Sequence, residues 1–255
     1  MKIINGHKIA NQVLADLKQE IKLRKLKPCL AIILIGSDPA SQLYVKLKQE
    51  KAKQIGVKAG QYLLADNVSE REVLEIINKL NQNSEVNGIL VQMPLPKHLS
   101  KDKIVSAISL AKDVDGFVKN SHFQPPFILA IEKALKETRE DLKDKKILAL
   151  VNSDVFGKVL QDKLGIRYLL GFNQDLSQAD VVITALGKPN IIKGDMIKQG
   201  AILIDGGISQ KNGKIVGDID RESVQEKAKW LSPVPGGVGP LTVAFLFKNV
   251  IGSEN

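Results

Sequence analysis

Apolar runs alternate with amphipathic stretches along most of the chain. Runs rich in Val, Ile and Leu, typical of buried strands in parallel sheets, cover residues 30–36, 88–93, 146–151, 168–172, 180–186 and 201–205. Between and around them, apolar residues recur at helical spacing, which predicts helices over 6–26, 40–54, 70–81, 127–143 and 238–252. This alternation predicts an α/β fold with mostly parallel sheets.

A polar segment in the middle of the chain divides these elements into two sets. Residues 119–126 read Lys-Asn-Ser-His-Phe-Gln-Pro-Pro, and the two prolines favour the start of a helix. We therefore expect two α/β domains. The first covers 1–124 together with a returning C-terminal helix, 236–255, and the second, 125–235, carries a Rossmann-like and mostly parallel sheet.

The segment 233–242 precedes the last helix and reads Pro-Val-Pro-Gly-Gly-Val-Gly-Pro-Leu-Thr. Prolines fix φ, while glycines allow the backbone to approach a ligand closely, so the segment is predicted to be a rigid, shaped loop. We expect it at the cleft between the two domains, where ligand sites tend to form. The alternative is a tight turn that only positions the last helix.

One face of the second predicted helix carries reactive side chains. Ser41, Tyr44 and Lys48 are spaced i, i+3 and i+7, so a hydroxyl, an aromatic ring and an amine point the same way. A lysine that is partly desolvated beside a ring has a lowered pKa and can act as a general acid or base. The alternative is an ordinary solvated helix surface.

Two further polar positions follow buried runs. Gln92 lies near the end of the run 88–93, at the carboxyl end of a predicted parallel strand, where sites of open α/β sheets are found. A buried amide needs partners, and Lys48 is a candidate. Asp113 and Asp115 flank a predicted tight turn, in which either can form an Asx turn and either can bind the N–H groups of a heterocycle.

Composition narrows the classes of function. The net charge is +9, but only five of the 37 basic residues are arginine, and the lysines are scattered over helices, which argues against nucleic-acid binding. The single cysteine, Cys29, begins a buried strand and provides no disulfide. No apolar run approaches the ~20 residues that cross a bilayer. We expect a cytoplasmic protein without a metal site.

Four motifs taken together resemble one family. They are Ser41 to Lys48, Val91-Gln-Met-Pro-Leu-Pro96, Lys112-Asp-Val-Asp-Gly-Phe117 and the segment 233–242. Their order and spacing are similar to those of the bifunctional methylenetetrahydrofolate dehydrogenase/methenyltetrahydrofolate cyclohydrolase family, and the resemblance covers nearly the whole chain. It implies a folate substrate, NADP as cofactor and a homodimer formed through the second domain.

The resemblance also implies roles for individual residues. Lys48 would be the central acid or base, Gln92 would hold and tune it, and Tyr44 would stack on the folate. The other implied substrate-binding residues are Ser41, Asp115, Pro235, Gly236, Gly237 and Val238. The implied cofactor-binding residues are Ser153, Gly157, Gly187 and Ile208.

Departures from the family pattern concentrate in the second domain. The family's Gly-Arg-Ser loop corresponds here to Val151, Asn152 and Ser153. A side chain at 151 is expected to crowd a pyrophosphate, Asn152 lacks the cationic fork that favours a 2′-phosphate, and Asp154 adds negative charge or caps the next helix. Segments 123–127 and 171–175 also differ. We therefore expect cyclohydrolase activity, with a dehydrogenase activity that is weakened, altered towards NAD, or lost.

Three alternatives remain open. A folate-binding protein that no longer catalyses would keep the same folate residues. A short-chain dehydrogenase would share the spacing of Tyr44 and Lys48, but no glycine-rich dinucleotide loop precedes that pair. A basic nucleic-acid-binding module is the third.

Overall fold

The computed structural model describes residues 1–211 and 213–253. Its strands are β1 (Lys2–Ile3), β2 (Cys29–Ile35), β3 (Lys58–Leu64), β4 (Gly88–Val91), β5 (Ile147–Val151), β6 (Arg167–Leu170), β7 (Val181–Ala185), β8 (Ile202–Asp205), β9 (Ser209–Lys211), β10 (Lys214–Val216) and β11 (Trp230–Ser232). Its α-helices are α1 (Gly6–Arg24), α2 (Pro39–Ile55), α3 (Glu70–Gln82), α4 (Lys101–Ser106), α5 (Pro126–Thr138), α6 (Asp154–Leu164), α7 (Arg221–Val224) and α8 (Val238–Gly252). The predicted α/β fold is confirmed.

The chain divides into two compact units. Asn11–Pro126 and the residues from Val243 onward form one, here called the three-stranded unit. Met1–Ala10 and Phe127–Thr242 form the other, the six-stranded unit. This division differs from the expected boundaries at both ends of the chain. The first ten residues belong to the six-stranded unit because β1 pairs with β11, and the later boundary falls inside α8.

The three-stranded unit is built on a parallel sheet with the order β3-β2-β4. β2 is buried along its whole length, because it is central and apolar on both faces. One face packs against α3, whose Val73 and Ile77 are fully buried. Ser69 caps that helix in a capping box with Glu72, as its sequence favours.

The six-stranded unit has the sheet order β1-β11-β8-β7-β5-β6, with all pairs parallel. The chain runs outward from β5 to β6 and then returns across β5 to β7. The strand order therefore reverses between β5 and β7, and such a switch point is where doubly wound sheets bind nucleotides, at the carboxyl ends of the strands. A short antiparallel hairpin, β9 and β10, follows β8.

The only tryptophan of the chain lies in β11. The indole N–H of Trp230 donates a hydrogen bond of 3.0 Å to the Glu140 carboxylate, and the Lys2 amine lies 5.1 Å from its ring centroid. All three residues belong to the six-stranded unit. In neither described unit does a helix have the length and apolar content that crossing a bilayer requires.

Candidate active site

The reactive face of α2 is set by how that helix begins. α2 starts just after β2, and the Asp38 carboxylate caps it by accepting a hydrogen bond of 2.7 Å from the backbone N–H of Ser41. Ser41 is buried, while Tyr44 and Lys48 are half-buried on the turns that follow. The three side chains thus continue from the carboxyl end of the sheet, as their spacing predicted.

Lys48 and Gln92 meet directly. The Lys48 amine donates a hydrogen bond of 2.7 Å to Gln92 Oε1. Gln92 Nε2 donates one of 2.8 Å to the carbonyl of Met93, and its backbone N–H donates to the carbonyl of Ile33 in β2. Because the amide nitrogen already has an acceptor, the amide oxygen is the atom that faces the lysine. The predicted partnership between Gln92 and Lys48 is present.

Burial and charge act on the ionisable groups of this site. Burial lowers the pKa of Lys48, and the negative charge of Asp115 partly opposes that fall. Burial raises the pKa of Asp115 to about 6, with Lys48 lowering it and Asp113 raising it. Burial also raises the pKa of the Tyr44 hydroxyl, so this group stays protonated near neutral pH. A lysine with a lowered pKa next to a carboxylate is suited to acid–base chemistry.

The structure shows which of the two aspartates forms the turn, a choice that the sequence left open. Asp113 is fully buried, and its carboxylate accepts hydrogen bonds from the backbone N–H groups of Gly116, Phe117 and Val118. It is therefore the residue that forms the turn. Asp115 makes no such backbone bonds among the described contacts and remains half-buried, with its charge directed to Lys48.

Sequence reasoning missed a residue that supports this turn. Asn249 in α8 donates one hydrogen bond of 2.9 Å to the carbonyl of Val114 and another of 2.9 Å to the carbonyl of Gln124. It is 135 positions from Val114 along the chain, so no local pattern could have indicated the contact. Asn249 is one of only two polar residues in the stretch 243–251, and it was the available signal.

The predicted ligand loop lies at the start of α8. Pro235 is exposed, Gly236 is half-buried with φ +101°, and Gly237 and Val238 are buried. The backbone of Gly237 packs against Gly6 so closely that a Cβ at Gly6 would overlap the Gly237 carbonyl oxygen. The loop is therefore held by the first turn of α1, which fits the expectation of a rigid segment.

The loop after β5 corrects two expectations. Val151 is fully buried as the last residue of β5, so its side chain does not occupy the surface where a pyrophosphate would lie. Ser153, and not Asp154, caps α6, accepting a hydrogen bond from the N–H of Phe156. Asp154 accepts a hydrogen bond of 2.7 Å from the Tyr168 hydroxyl and pairs with Lys158 at 2.9 Å. Its negative charge is thus paired with a neighbouring ammonium.

The other predicted cofactor residues have different environments. Gly157 is buried, and a Cβ there would overlap the ring of Tyr168, so the glycine permits close packing of α6 against β6. Such packing is one of the glycine roles in Rossmann dinucleotide folds. Gly187, with φ +67°, and Ile208 are exposed after β7 and β8. Their places at the carboxyl edge of the sheet fit a dinucleotide.

A buried pair of carboxylates joins the loops after β7 and β8, and sequence reasoning missed it. Asp205 accepts hydrogen bonds from the Thr184 hydroxyl and from the N–H groups of Gly207, Asp218 and Ile219. Asp218 in turn accepts from the N–H groups of Leu186 and Lys188. Burial raises the pKa of Asp205 to about 6. The pair fixes the backbone on both sides of Gly187.

These loops fit a dinucleotide. The N-terminus of α6, capped by Ser153, follows the strand at the switch point, and its free N–H groups suit a pyrophosphate. In residues 1–211 and 213–253, no group of three or more His, Cys, Asp or Glu side chains is placed to hold a metal ion. The three-stranded unit thus carries an acid–base centre, and the six-stranded sheet has an edge suited to a nucleotide. These features define the class of protein as a two-domain α/β enzyme that uses a dinucleotide.

Comparison with known proteins identifies the family within that class. The family model described as "Tetrahydrofolate dehydrogenase/cyclohydrolase, catalytic domain" matches residues 4–115, and the corresponding "NAD(P)-binding domain" model matches residues 125–255. The chain belongs to the tetrahydrofolate dehydrogenase/cyclohydrolase family.

Relatives and solved structures agree over nearly the whole length. The "Bifunctional protein FolD" of Wolbachia sp. subsp. Drosophila simulans (strain wRi) is 43% identical over 98% of this chain and 94% of the relative. The bifunctional FolD enzyme of Campylobacter jejuni superposes with a TM-score of 0.92 at 37% identity, over 99% of this chain and 98% of that one. A Trypanosoma brucei FolD, solved with NADP cofactor and inhibitor, gives 0.91 at 27% identity, over 98% and 96%.

The comparisons confirm the resemblance and correct one expectation. They do not favour a weakened or lost dehydrogenase half, since the NAD(P)-binding model matches the second half of the chain, altered loop included. The physical reason is that Val151 is buried and that Asp154 is paired with Lys158. The short-chain dehydrogenase and the non-catalytic folate-binding alternatives are not favoured either.

Proposed function

We propose that this protein hydrolyses 5,10-methenyltetrahydrofolate to 10-formyltetrahydrofolate and oxidises 5,10-methylenetetrahydrofolate with NADP. Membership of the family supports both reactions. The single observation that carries the proposal is the hydrogen bond of 2.7 Å between the Lys48 amine and Gln92 Oε1, in a site where burial lowers the pKa of that amine.

In the hydrolysis, Lys48 handles the proton. The neutral amine takes a proton from a water molecule as the water oxygen bonds to the methenyl carbon. The ammonium then returns this proton to N5 as the bond between that carbon and N5 breaks, and the hydroxyl on the carbon loses its own proton. This leaves the formyl group on N10 and releases one proton overall. Gln92 Oε1 accepts a hydrogen bond from the resulting ammonium and keeps it directed into the site.

Other residues of the three-stranded unit bind and orient the folate. The half-buried ring of Tyr44 stacks on the substrate, and the Asp115 carboxylate accepts hydrogen bonds from N–H groups of the pterin. Ser41 contributes a hydroxyl from the same face of α2. We propose that Pro235, Gly236, Gly237 and Val238 also bind the substrate, which their rigid backbone supports.

In the oxidation, NADP would supply the acceptor for a hydride from the methylene carbon of the substrate. The residues that would hold the dinucleotide lie in the six-stranded unit. Ser153 and the N-terminal N–H groups of α6 suit the pyrophosphate, and Gly187 and Ile208 line the carboxyl edge of the sheet. Gly157 keeps α6 close to β6.

We also propose that the protein is a cytoplasmic homodimer that serves one-carbon supply, including purine biosynthesis. Exposed apolar side chains support an interface in the six-stranded unit. Leu170 on the edge strand β6 is 53% exposed, and Val155 on the adjacent α6 is 65% exposed. Analytical ultracentrifugation tests the dimer, and a monomer at all accessible concentrations would contradict it.

Replacing the lysine tests the proposed chemistry. Lys48→Met should reduce the rate of methenyltetrahydrofolate hydrolysis by on the order of 10²–10⁴-fold, because it removes the positioned acid–base group. Lys46→Met is the matched control, since Lys46 is an exposed lysine of the same helix. NADP-dependent oxidation of methylenetetrahydrofolate is measured in parallel. Hydrolysis at the uncatalysed rate in the wild type, or an equal loss in both variants, would refute the proposal.

A further inference from the structure

One positively charged side chain lies near the position at which Rossmann-type folds discriminate NAD from NADP. In such folds the residue at the carboxyl end of the strand after the phosphate-binding helix lies beside the ribose 2′ position, with an acid for NAD or a cation for NADP. Here that strand is β6, and the residues that follow it are Gly171, Phe172 and Asn173. None of these three is charged.

A side chain from the neighbouring strand provides the charge. The Lys188 amine lies 4.5 Å from the centroid of the Phe172 ring, in a cation–π contact. Lys188 follows β7 and Phe172 follows β6, and both strands flank β5. The contact therefore joins the carboxyl ends of the two strands on either side of β5.

The backbone of Lys188 is also fixed. Its N–H donates a hydrogen bond of 2.8 Å to the buried carboxylate of Asp218, which Asp205 orients through the N–H of Asp218. Asn152, in the loop after β5, donates 3.1 Å to the carbonyl of Leu186, two residues before Lys188. The lysine is thus anchored at its backbone and at its side chain, which lowers the entropic cost of binding an anion.

Nearby carboxylates do not neutralise this lysine. Asp154 is engaged by Lys158 and the Tyr168 hydroxyl, and Asp218 by backbone N–H groups. Asp175 accepts from the N–H of Ser177. Among the ion pairs of the described residues, none involves Lys188. An exposed cation without a carboxylate partner remains available to a phosphate.

We propose that Lys188, held over Phe172, binds the 2′-phosphate of NADP and so selects NADP over NAD. The inference rests on the proposed dehydrogenase function. It deepens that function by naming the residue that distinguishes the two dinucleotides. Lys188 is a binding residue in this proposal and has no part in the hydride step.

The test uses ligands that differ only in this phosphate. Calorimetric titrations of the full-length protein measure the Kd of 2′,5′-ADP and 5′-AMP, and then of NADP and NAD. Lys188→Gln should raise the Kd of 2′,5′-ADP and NADP about tenfold or more, because a charge-assisted contact is lost, and leave 5′-AMP and NAD within about twofold. The preference for NADP should also weaken at high salt.

Three variants sharpen the result. Lys193→Gln removes an exposed lysine five positions further along the same segment and should change neither Kd. Lys188→Arg should restore most of the affinity for 2′,5′-ADP. Phe172→Leu removes the ring under the amine and should weaken 2′,5′-ADP about two- to fivefold. Urea unfolding confirms that each variant is folded.

The outcomes separate this inference from the proposed function. If Lys188→Gln weakens 2′,5′-ADP and 5′-AMP equally, or neither, the assignment of Lys188 is wrong while the dehydrogenase function stands. A wild type that binds NAD but not NADP overturns the inference and the choice of NADP in the proposed function, while a dehydrogenase that uses NAD still stands. A wild type that binds none of the four ligands overturns the dehydrogenase half of the proposed function, and this inference with it.

Discussion

Two opposing effects act on the pKa of Lys48. Burial lowers its pKa, because a charged amine loses solvation, and the negative charge of Asp115 raises it. Asp115 is affected in the reverse sense, with burial raising its pKa to about 6 and Lys48 lowering it. The pair therefore titrates as a coupled system, and replacing one member must shift the pKa of the other.

Asp115→Asn should shift the pH dependence of hydrolysis. In the proposed mechanism Lys48 acts in its neutral form, so the rate should rise with pH as the amine loses its proton. Without the negative charge of Asp115, burial acts unopposed and the pKa of Lys48 falls, so the rising limb moves to lower pH. The measurement is the pH profile of the hydrolysis rate at saturating folate.

An exposed acid provides the control for this experiment. Asp102 lies in α4 and is exposed, so Asp102→Asn should leave the limb in place. A limb that stays unmoved in Asp115→Asn, or moves to higher pH, would show that Asp115 does not act on Lys48 through its charge.

Most of the strands could be predicted from apolar runs, and the exceptions have physical causes. The six predicted runs correspond to β2, β4, β5, β6, β7 and β8. Four of these, β2, β5, β7 and β8, lie inside parallel sheets and are apolar on both faces, while the edge strands β4 and β6 are also rich in apolar residues. β3 was missed, since it is an edge strand whose side chains are mostly exposed. β1 and β11, with two and three residues, are too short to show a pattern of apolar and polar positions.

The site was predictable where its residues sit on regular elements. Lys48 and Gln92 belong to a helix and a strand end whose spacing fixes their direction, so their contact was anticipated. The choice between Asp113 and Asp115 could not be predicted from the residues themselves, because both are aspartates and aspartate favours turns. Asp205 and Asp218 were missed because their partners are backbone N–H groups of other loops, which leave no sequence pattern.

Gly157→Ala should destabilise the six-stranded unit. The added methyl group would overlap the Tyr168 ring, so α6 must move away from β6, and such overpacking costs about 1–3 kcal/mol. Gly239→Ala is the matched control. Gly239 lies in the first turn of α8 with no atom near its would-be Cβ, so alanine there should be neutral or stabilising by up to about 1 kcal/mol.

Urea unfolding of the two glycine variants measures this difference. A Gly157→Ala protein as stable as the wild type would show that α6 and β6 can separate at little cost. In that case the close packing inferred for this glycine would be wrong.

The end of the chain contributes to a site formed near its beginning. The chain leaves the three-stranded unit at α5 and returns to it within α8. Asn249 then supports the turn that presents Asp115, through the carbonyls of Val114 and Gln124. The turn in the proposed folate site therefore depends on the last helix.

Asn249→Leu should impair folate chemistry from a distance along the chain. It leaves two carbonyls without their donor, which should cost about 1–3 kcal/mol of stability and raise the KM for methenyltetrahydrofolate. Lys248→Ala changes the exposed neighbour and should alter neither quantity. Unchanged KM and stability in Asn249→Leu would show that the turn holds without α8.

The single tryptophan has a practical consequence for studying the two units. Trp230, with its partners Glu140 and Lys2, lies wholly within the six-stranded unit, so its emission spectrum reports the unfolding of that unit only. Far-ultraviolet circular dichroism reports the helices of both. Where the two signals give different midpoints, the protein does not unfold in one step, and a single stability value cannot describe it. This fluorophore thus distinguishes the loss of the dinucleotide sheet from the loss of the folate sheet.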